Sequence, residues 1–135
     1  PNKLDQEWLS FSRHYHAEAV TLANLRKYYE MAKADRDVTV AEKAQKVRSN
    51  PSVYGIEKVT EATVNEIVTA TTRAAEQKVI EAKHAFDIQQ AVIDALDGKK
   101  HALQDLVRLR LASYYADPKM PDGIEPQNIR RPVKK

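Results

Sequence analysis

The chain has 135 residues and a formal net charge of +3, with 7% aromatic residues, 30% charged residues and only three glycines, Gly55, Gly98 and Gly123. Without a cysteine it has no disulfide framework, thiolate metal site or thiol nucleophile, and no run reaches the ~18 apolar residues of a membrane span. Few glycines mean few tight turns, so three or four mostly long elements are expected in place of an ordinary globule.

The start, Pro1-Asn2-Lys3-Leu4-Asp5, lacks the apolar core of a signal peptide. The expectation is a cytoplasmic protein whose initiator Met was excised or left out of the numbering. Residues 4–48 contain no Gly and no Pro. Alternating steps of four and three pick out Leu4, Trp8, Phe11, Tyr15, Glu18, Leu22, Leu25, Tyr29 and Ala32, a heptad seam broken once, at Glu18. Beyond Asp35-Arg36-Asp37 the stripe thins and shifts phase to Val40, Ala44 and Val47. Residues 35–39 admit a break with Thr39 as a cap. Continuity is preferred, which makes one helix of roughly 65–70 Å at ~1.5 Å per residue.

Ser49-Asn50-Pro51-Ser52-Val53-Tyr54-Gly55 punctuates the chain. Asn before Pro leaves the helical region and the glycine suits a turn, so the chain reverses here. Thr60 reads as an N-cap of a short helix through Val64, Ile67 and Val68. The hydroxyl run Thr69-Ala70-Thr71-Thr72 is expected to interrupt it, with Thr72 capping the next helix.

Over residues 73–115 a second long helix carries the seam Ala75, Val79, Ala82, Phe86, Gln89, Ile93, Leu96, Lys100, Leu103, Val107, Arg110 and Tyr114. Gly98 is its one weak point, at a cost of roughly 1 kcal/mol against Ala. Asp117-Pro118 ends it. Residues 117–135, with four prolines and no apolar period, read as a mobile basic tail. The fold class is therefore all-α: a hairpin of two long helices with a short connecting helix, spanning 1–116. A two-helix hairpin leaves half of each seam wet, so assembly into an oligomeric bundle or ring is expected. The seam residues assigned to it are Trp8, Phe11, Tyr15, Leu22 and Leu25 on the first helix, and Val79, Phe86, Ile93, Leu96, Leu103 and Val107 on the second.

Catalytic chemistry finds little support. His14 and His16 are two apart, about 200° around a helix, so they cannot share a metal. Glu81 and His84 have the Glu-x-x-His spacing of di-iron bundles, but the chain has no second copy of it. Ser10, Ser12, Ser49, Ser52 and Ser113 lie in no nucleophile elbow, and no glycine-rich loop cradles a phosphate. No cofactor, no metal site and no enzyme are expected. The basic residues say more. Lys43, Lys46 and Arg48 precede the reversal, Lys58 comes after it and Arg73 opens the last helix. Lys99 and Lys100 form a middle cluster, and Arg108 and Arg110 stand near Tyr114 and Tyr115. Cations interleaved with aromatics suit single-stranded nucleic acid, by backbone tracking and base stacking. The bland alternative is a solvated surface with cations complementing helix C-termini.

Three segments carry a family likeness: Lys58-Val59-Thr60-Glu61-Ala62-Thr63-Val64, Glu81-Ala82-Lys83-His84-Ala85-Phe86-Asp87, and the run from Ala95-Leu96-Asp97-Gly98-Lys99-Lys100 through His101-Ala102-Leu103-Gln104-Asp105-Leu106-Val107-Arg108-Leu109. Over residues 8–116 the chain resembles the phage recombination mediators of the UvsY type. The resemblance implies homo-oligomeric rings of six or seven subunits that bind single-stranded DNA. They would help a RecA-like recombinase displace the single-strand-binding protein, without bond chemistry, in the host cytoplasm if phage-encoded. It places the family's basic pair at Lys46-Val47-Arg48. Gly98 departs from the stronger helix formers of that family, as does the proline-rich tail. A coiled-coil scaffold of phage assembly is the alternative, and an adaptor bundle binding only protein is a third.

Overall fold

A computed structural model describes residues 3–116. The segment 117–135, expected to be a mobile tail, lies outside the described residues, as do the side chains of Tyr114 and Tyr115. The described chain is all-α: α1 (Lys3–Ser49), a 3-10 turn (Pro51–Tyr54), α2 (Glu61–Thr71) and α3 (Arg73–Ala116). It divides into two compact units, Pro1–Gly98 and Lys99 onward, with α3 contributing to both.

α1 runs unbroken for 47 residues. Residues 35–39 stay helical, and the Thr39 hydroxyl donates to the Asp35 carbonyl at 2.8 Å, inside the helix and not as a cap. Asn50 ends α1, and its backbone, at φ −133° and ψ 62°, has left the helical region ahead of Pro51. Gly55 then takes φ 71°, the left-handed conformation a side chain would resist, and closes the 3-10 turn with its N–H on Ser52 O. α2 begins at a capping box, in which the Thr60 hydroxyl accepts from the Thr63 N–H and the Thr63 hydroxyl accepts from the Thr60 N–H.

The break between α2 and α3 is shorter than expected. Thr69 and Thr71 remain helical, and Thr72 alone leaves the pattern. Its hydroxyl also does not cap α3. It donates backward to the Val68 carbonyl at 2.6 Å, while the Thr72 carbonyl accepts from the Ala75 and Glu76 N–H groups. Thr72 is buried, and a turn back onto α2 satisfies its hydroxyl without solvent.

Within residues 1–98 two packings hold the fold. Val47, Val64 and Val68 form a small core joining the end of α1 to α2, with Val40, Ala44, Tyr54, Ile56 and Ile67 against it. Valines and an alanine at this contact let the helices approach closely. α3 runs antiparallel to α1, as four pairs show: Tyr15 with Asp97, Glu18 with Gln89, Tyr29 with Phe86, and Arg36 with Glu76. The seam positions Phe11, Val79, Ile93 and Leu96 are buried, while Tyr15, Leu22, Leu25 and Phe86 are half-buried. Trp8, expected in that seam, is exposed in one copy, and its ring stacks on Phe11 one turn along at 5.9 Å. The break at Glu18 is filled by Gln89, whose amide donates to both the Glu18 carboxylate and its carbonyl. Within the second unit Leu103 is buried and Val107 half-buried, but Lys100, on the same sequence stripe, is exposed.

Candidate nucleic-acid interface

Val47 is fully buried, and this fixes its neighbours. Lys46 and Arg48 lie about 100° to either side, so both reach the surface of the last turn of α1. There they also complement the negative end of the helix dipole. The same end of the unit carries the 3-10 turn, with Val53 at 76% exposure, then Lys58 and the start of α2. Thus the closed reversal brings Lys46, Arg48 and Lys58 to one end.

The three are not equivalent. The Arg48 guanidinium donates to both oxygens of Glu61, at 3.0 and 3.3 Å, across the reversal. That fork leaves its charge locally countered. Lys43, grouped with these residues from sequence, is half-buried with its ammonium 5.0 Å from the Tyr54 ring centre, and it donates to the Tyr54 hydroxyl at 3.4 Å. Its role in this structure is to tie the 3-10 turn to α1. Lys46 and Lys58 are exposed and are the best-placed cations for a ligand at this end.

Arg73 is exposed at the start of α3 and lines a shallow groove with Ala62, Asn65, Glu66, Thr69 and Ala70, about three turns along from the start of α2. It belongs with the α2–α3 junction and not with the reversal. Lys99, Lys100, Arg108 and Arg110 are exposed in the second unit, where Arg108 pairs with Asp105 at 3.6 Å. Residues 42–61 hold four basic and three acidic side chains, so one copy presents only a modest positive field.

Hydrogen bonds to carboxylates raise the pKa of Lys33, Arg36 and Lys83, from Glu30, Asp37 and Asp87 respectively, all along the helices and away from the reversal. His14 and His16 are both exposed, and Glu81 accepts from Gln77. Among the described residues no three His, Asp or Glu side chains gather as a metal site requires, and no helix is long and apolar enough to cross a membrane. Sequence reasoning missed the Arg48–Glu61 fork and the Lys43–Tyr54 contact, which join residues 13 and 11 apart through the reversal. The alternation of cations with Tyr54 and Glu61 around Pro51 was the available signal.

Comparison with protein-family models, with curated proteins and with solved structures found no match for this chain.

Proposed function

We propose that this protein is a non-catalytic, self-assembling binder of single-stranded DNA that acts as a recombination mediator. In that role it loads a RecA-like recombinase in place of the single-strand-binding protein, in the cytoplasm where such DNA is processed. The observation that carries the reading is the exposed pair Lys46 and Lys58 at the end of the hairpin, beside Arg48 and the protruding Val53. Exposed cations are what a polynucleotide backbone binds. One copy is weak, and repetition in a homo-oligomer multiplies it. Among the described residues eight hydrophobic side chains are buried while thirteen large ones are exposed, a balance that favours association. The resemblance to UvsY-type mediators in residues 58–64, 81–87 and 95–109 supplies the biological role.

The near balance of charge at residues 42–61 favours a second reading, a non-enzymatic coiled-coil scaffold of phage assembly that binds no DNA. Fluorescence anisotropy with a labelled thymidine oligonucleotide separates the two. The mediator reading expects binding at low salt that weakens linearly in log[salt], and loss of most of it in the Lys46→Ala, Lys58→Ala double variant. No binding at low salt sinks the reading; unchanged binding by the double variant sinks the site.

A further inference from the structure

Both long helices carry a second stripe at heptad spacing on the side away from their shared seam. On α1 it runs Val20, Asn24, Lys27, Met31, Ala34 and Val38, all exposed, with the valines and the methionine 48–57% exposed. On α3 it runs Ile80, His84, Asp87 and Ala91, with Ile88 and Ala95 beside them, again all exposed. At 3.6 residues per turn each stripe lies roughly opposite the seam that joins α1 to α3. The two stripes therefore face away from each other and cannot cover one another within one chain.

We propose that the outer stripe of α1 packs against the outer stripe of α3 of a second copy, a heterologous contact that repeats from copy to copy. This deepens the self-association on which the proposed function rests, by naming its surfaces. Register and charge both argue for the pairing. A closed assembly about an axis along the helices holds neighbouring copies at one height, so the levels that join Tyr15 to Asp97, Tyr29 to Phe86 and Arg36 to Glu76 apply between copies too. At those levels Val20 meets Ala91, Asn24 meets Asp87, Lys27 meets His84 and Met31 meets Ile80. Apolar positions thus fall on apolar ones and polar on polar.

The polar rungs also match in kind. The Asn24 amide can donate to the Asp87 carboxylate, whose Oδ2 already accepts from Lys83 at 2.8 Å in one copy. Lys27 stands level with the turns that hold Glu81 and Asp87, so its charge is met from either side. Pairing each stripe with itself, antiparallel, sets Asn24 against Lys27 and His84 against Asp87, rungs that can hydrogen-bond but bring no carboxylate to the lysine. The α1 stripe has no carboxylate to receive Lys27, and the α3 stripe has no lysine or arginine to receive Asp87. A buried polar pair in a coiled-coil seam costs stability when it slips, so these two rungs also fix the register.

The cysteine-free chain permits a direct test. Full-length Val20→Cys and Ala91→Cys variants are mixed, oxidised with diamide and run on non-reducing gels, beside each variant alone. Thiols held together in an assembly meet at millimolar effective concentration, so the mixture is expected to give covalent dimers about fivefold or more above either variant alone. A chain carrying both substitutions is expected to give a ladder. Dimers as abundant in either single variant mean like-with-like packing and overturn the proposal. So does the absence of cross-links, whether light scattering finds an assembly or a monomer. Met31→Glu, at a position half exposed in one copy, is expected to lower the assembly mass with the helical circular dichroism kept; an unchanged mass overturns the proposal as well. Cross-links formed by a protein that binds no single-stranded DNA would refute the mediator reading and leave this interface standing.

Discussion

Glu61 limits the positive end of the hairpin, and its removal is expected to strengthen DNA binding. Its carboxylate holds the Arg48 guanidinium at 3.0 Å with both groups exposed, so the ion pair contributes only about 0–1 kcal/mol to stability. Glu61 also stands in the first turn of α2, where a negative charge favours the helix by about 0.3–1 kcal/mol. Glu61→Gln keeps the shape and a hydrogen-bond acceptor, so the folded state loses on the order of 1 kcal/mol. Arg48 is then released to a phosphate. One added phosphate contact on single strands steepens the slope of log K against log[salt] by about 0.7, which at 0.1 M salt is about a fivefold gain in affinity for each copy engaged. Anisotropy titrations at several salt concentrations read both quantities. An unchanged slope with unchanged affinity would show that Arg48 is not held in reserve, and weaker binding would put Glu61 itself in the interface.

Val64→Ala removes two methyl groups from a fully buried position in the Val47–Val64–Val68 core. It is expected to lower the unfolding free energy by about 2–3 kcal/mol, whereas Val53→Ala, at 76% exposure, changes it by less than about 0.5 kcal/mol. Urea denaturation at fixed protein concentration checks both, and equal effects would contradict the placement of the core. Tyr15 donates to Asp97 at 3.1 Å, and this bond, with desolvation and the carboxylate charge adding to it, raises the phenol pKa above its ordinary value. The neutral phenol is the favoured form in the fold, so its contribution is complete below pH ~10 and lost as pH climbs through the raised value. Melting scans across the alkaline range should show a steeper loss in the parent chain than in Tyr15→Phe; parallel curves would break the link. Gly98 is helical with open space where a methyl group would stand, so Gly98→Ala should stabilise by about 0.5–1 kcal/mol in thermal melts, and a destabilised variant would reveal a contact at that face.

Much of the fold was legible because local chemistry decides it. A stretch of 47 residues makes α1, Asn50-Pro51 stops it, Gly55 turns the chain and Thr60 caps α2. The seam was readable where residues recur at steps of three and four, as at Phe11, Leu22, Leu25, Val79, Ile93 and Leu96. Trp8 is exposed in the single chain and stacks on Phe11 within its own helix, so its place in an oligomer seam depends on a second copy. Thr72 was expected to cap α3 with its hydroxyl, but that hydroxyl bonds back to the Val68 carbonyl, and spacing does not say which partner it takes. The candidate site was legible only in outline. Lys46, Arg48 and Lys58 were found from position relative to the turn, but the partners that distinguish these cations, Glu61 for Arg48 and Tyr54 for Lys43, come from across it. The outer stripes were hidden because polar residues interrupt them. Asn24, Lys27, His84 and Asp87 look like ordinary surface until the inner seam is known and their levels can be compared.

The proposed function holds that copies of this chain assemble and that the assembly binds single-stranded DNA. Size-exclusion chromatography with light scattering on the full chain, run with and without a short thymidine oligonucleotide at low salt, tests both parts at once. The expected result is a multi-subunit protein that takes the oligonucleotide into its own peak, with several copies of the chain for each strand. A monomer, or an assembly that elutes apart from the DNA, would contradict it.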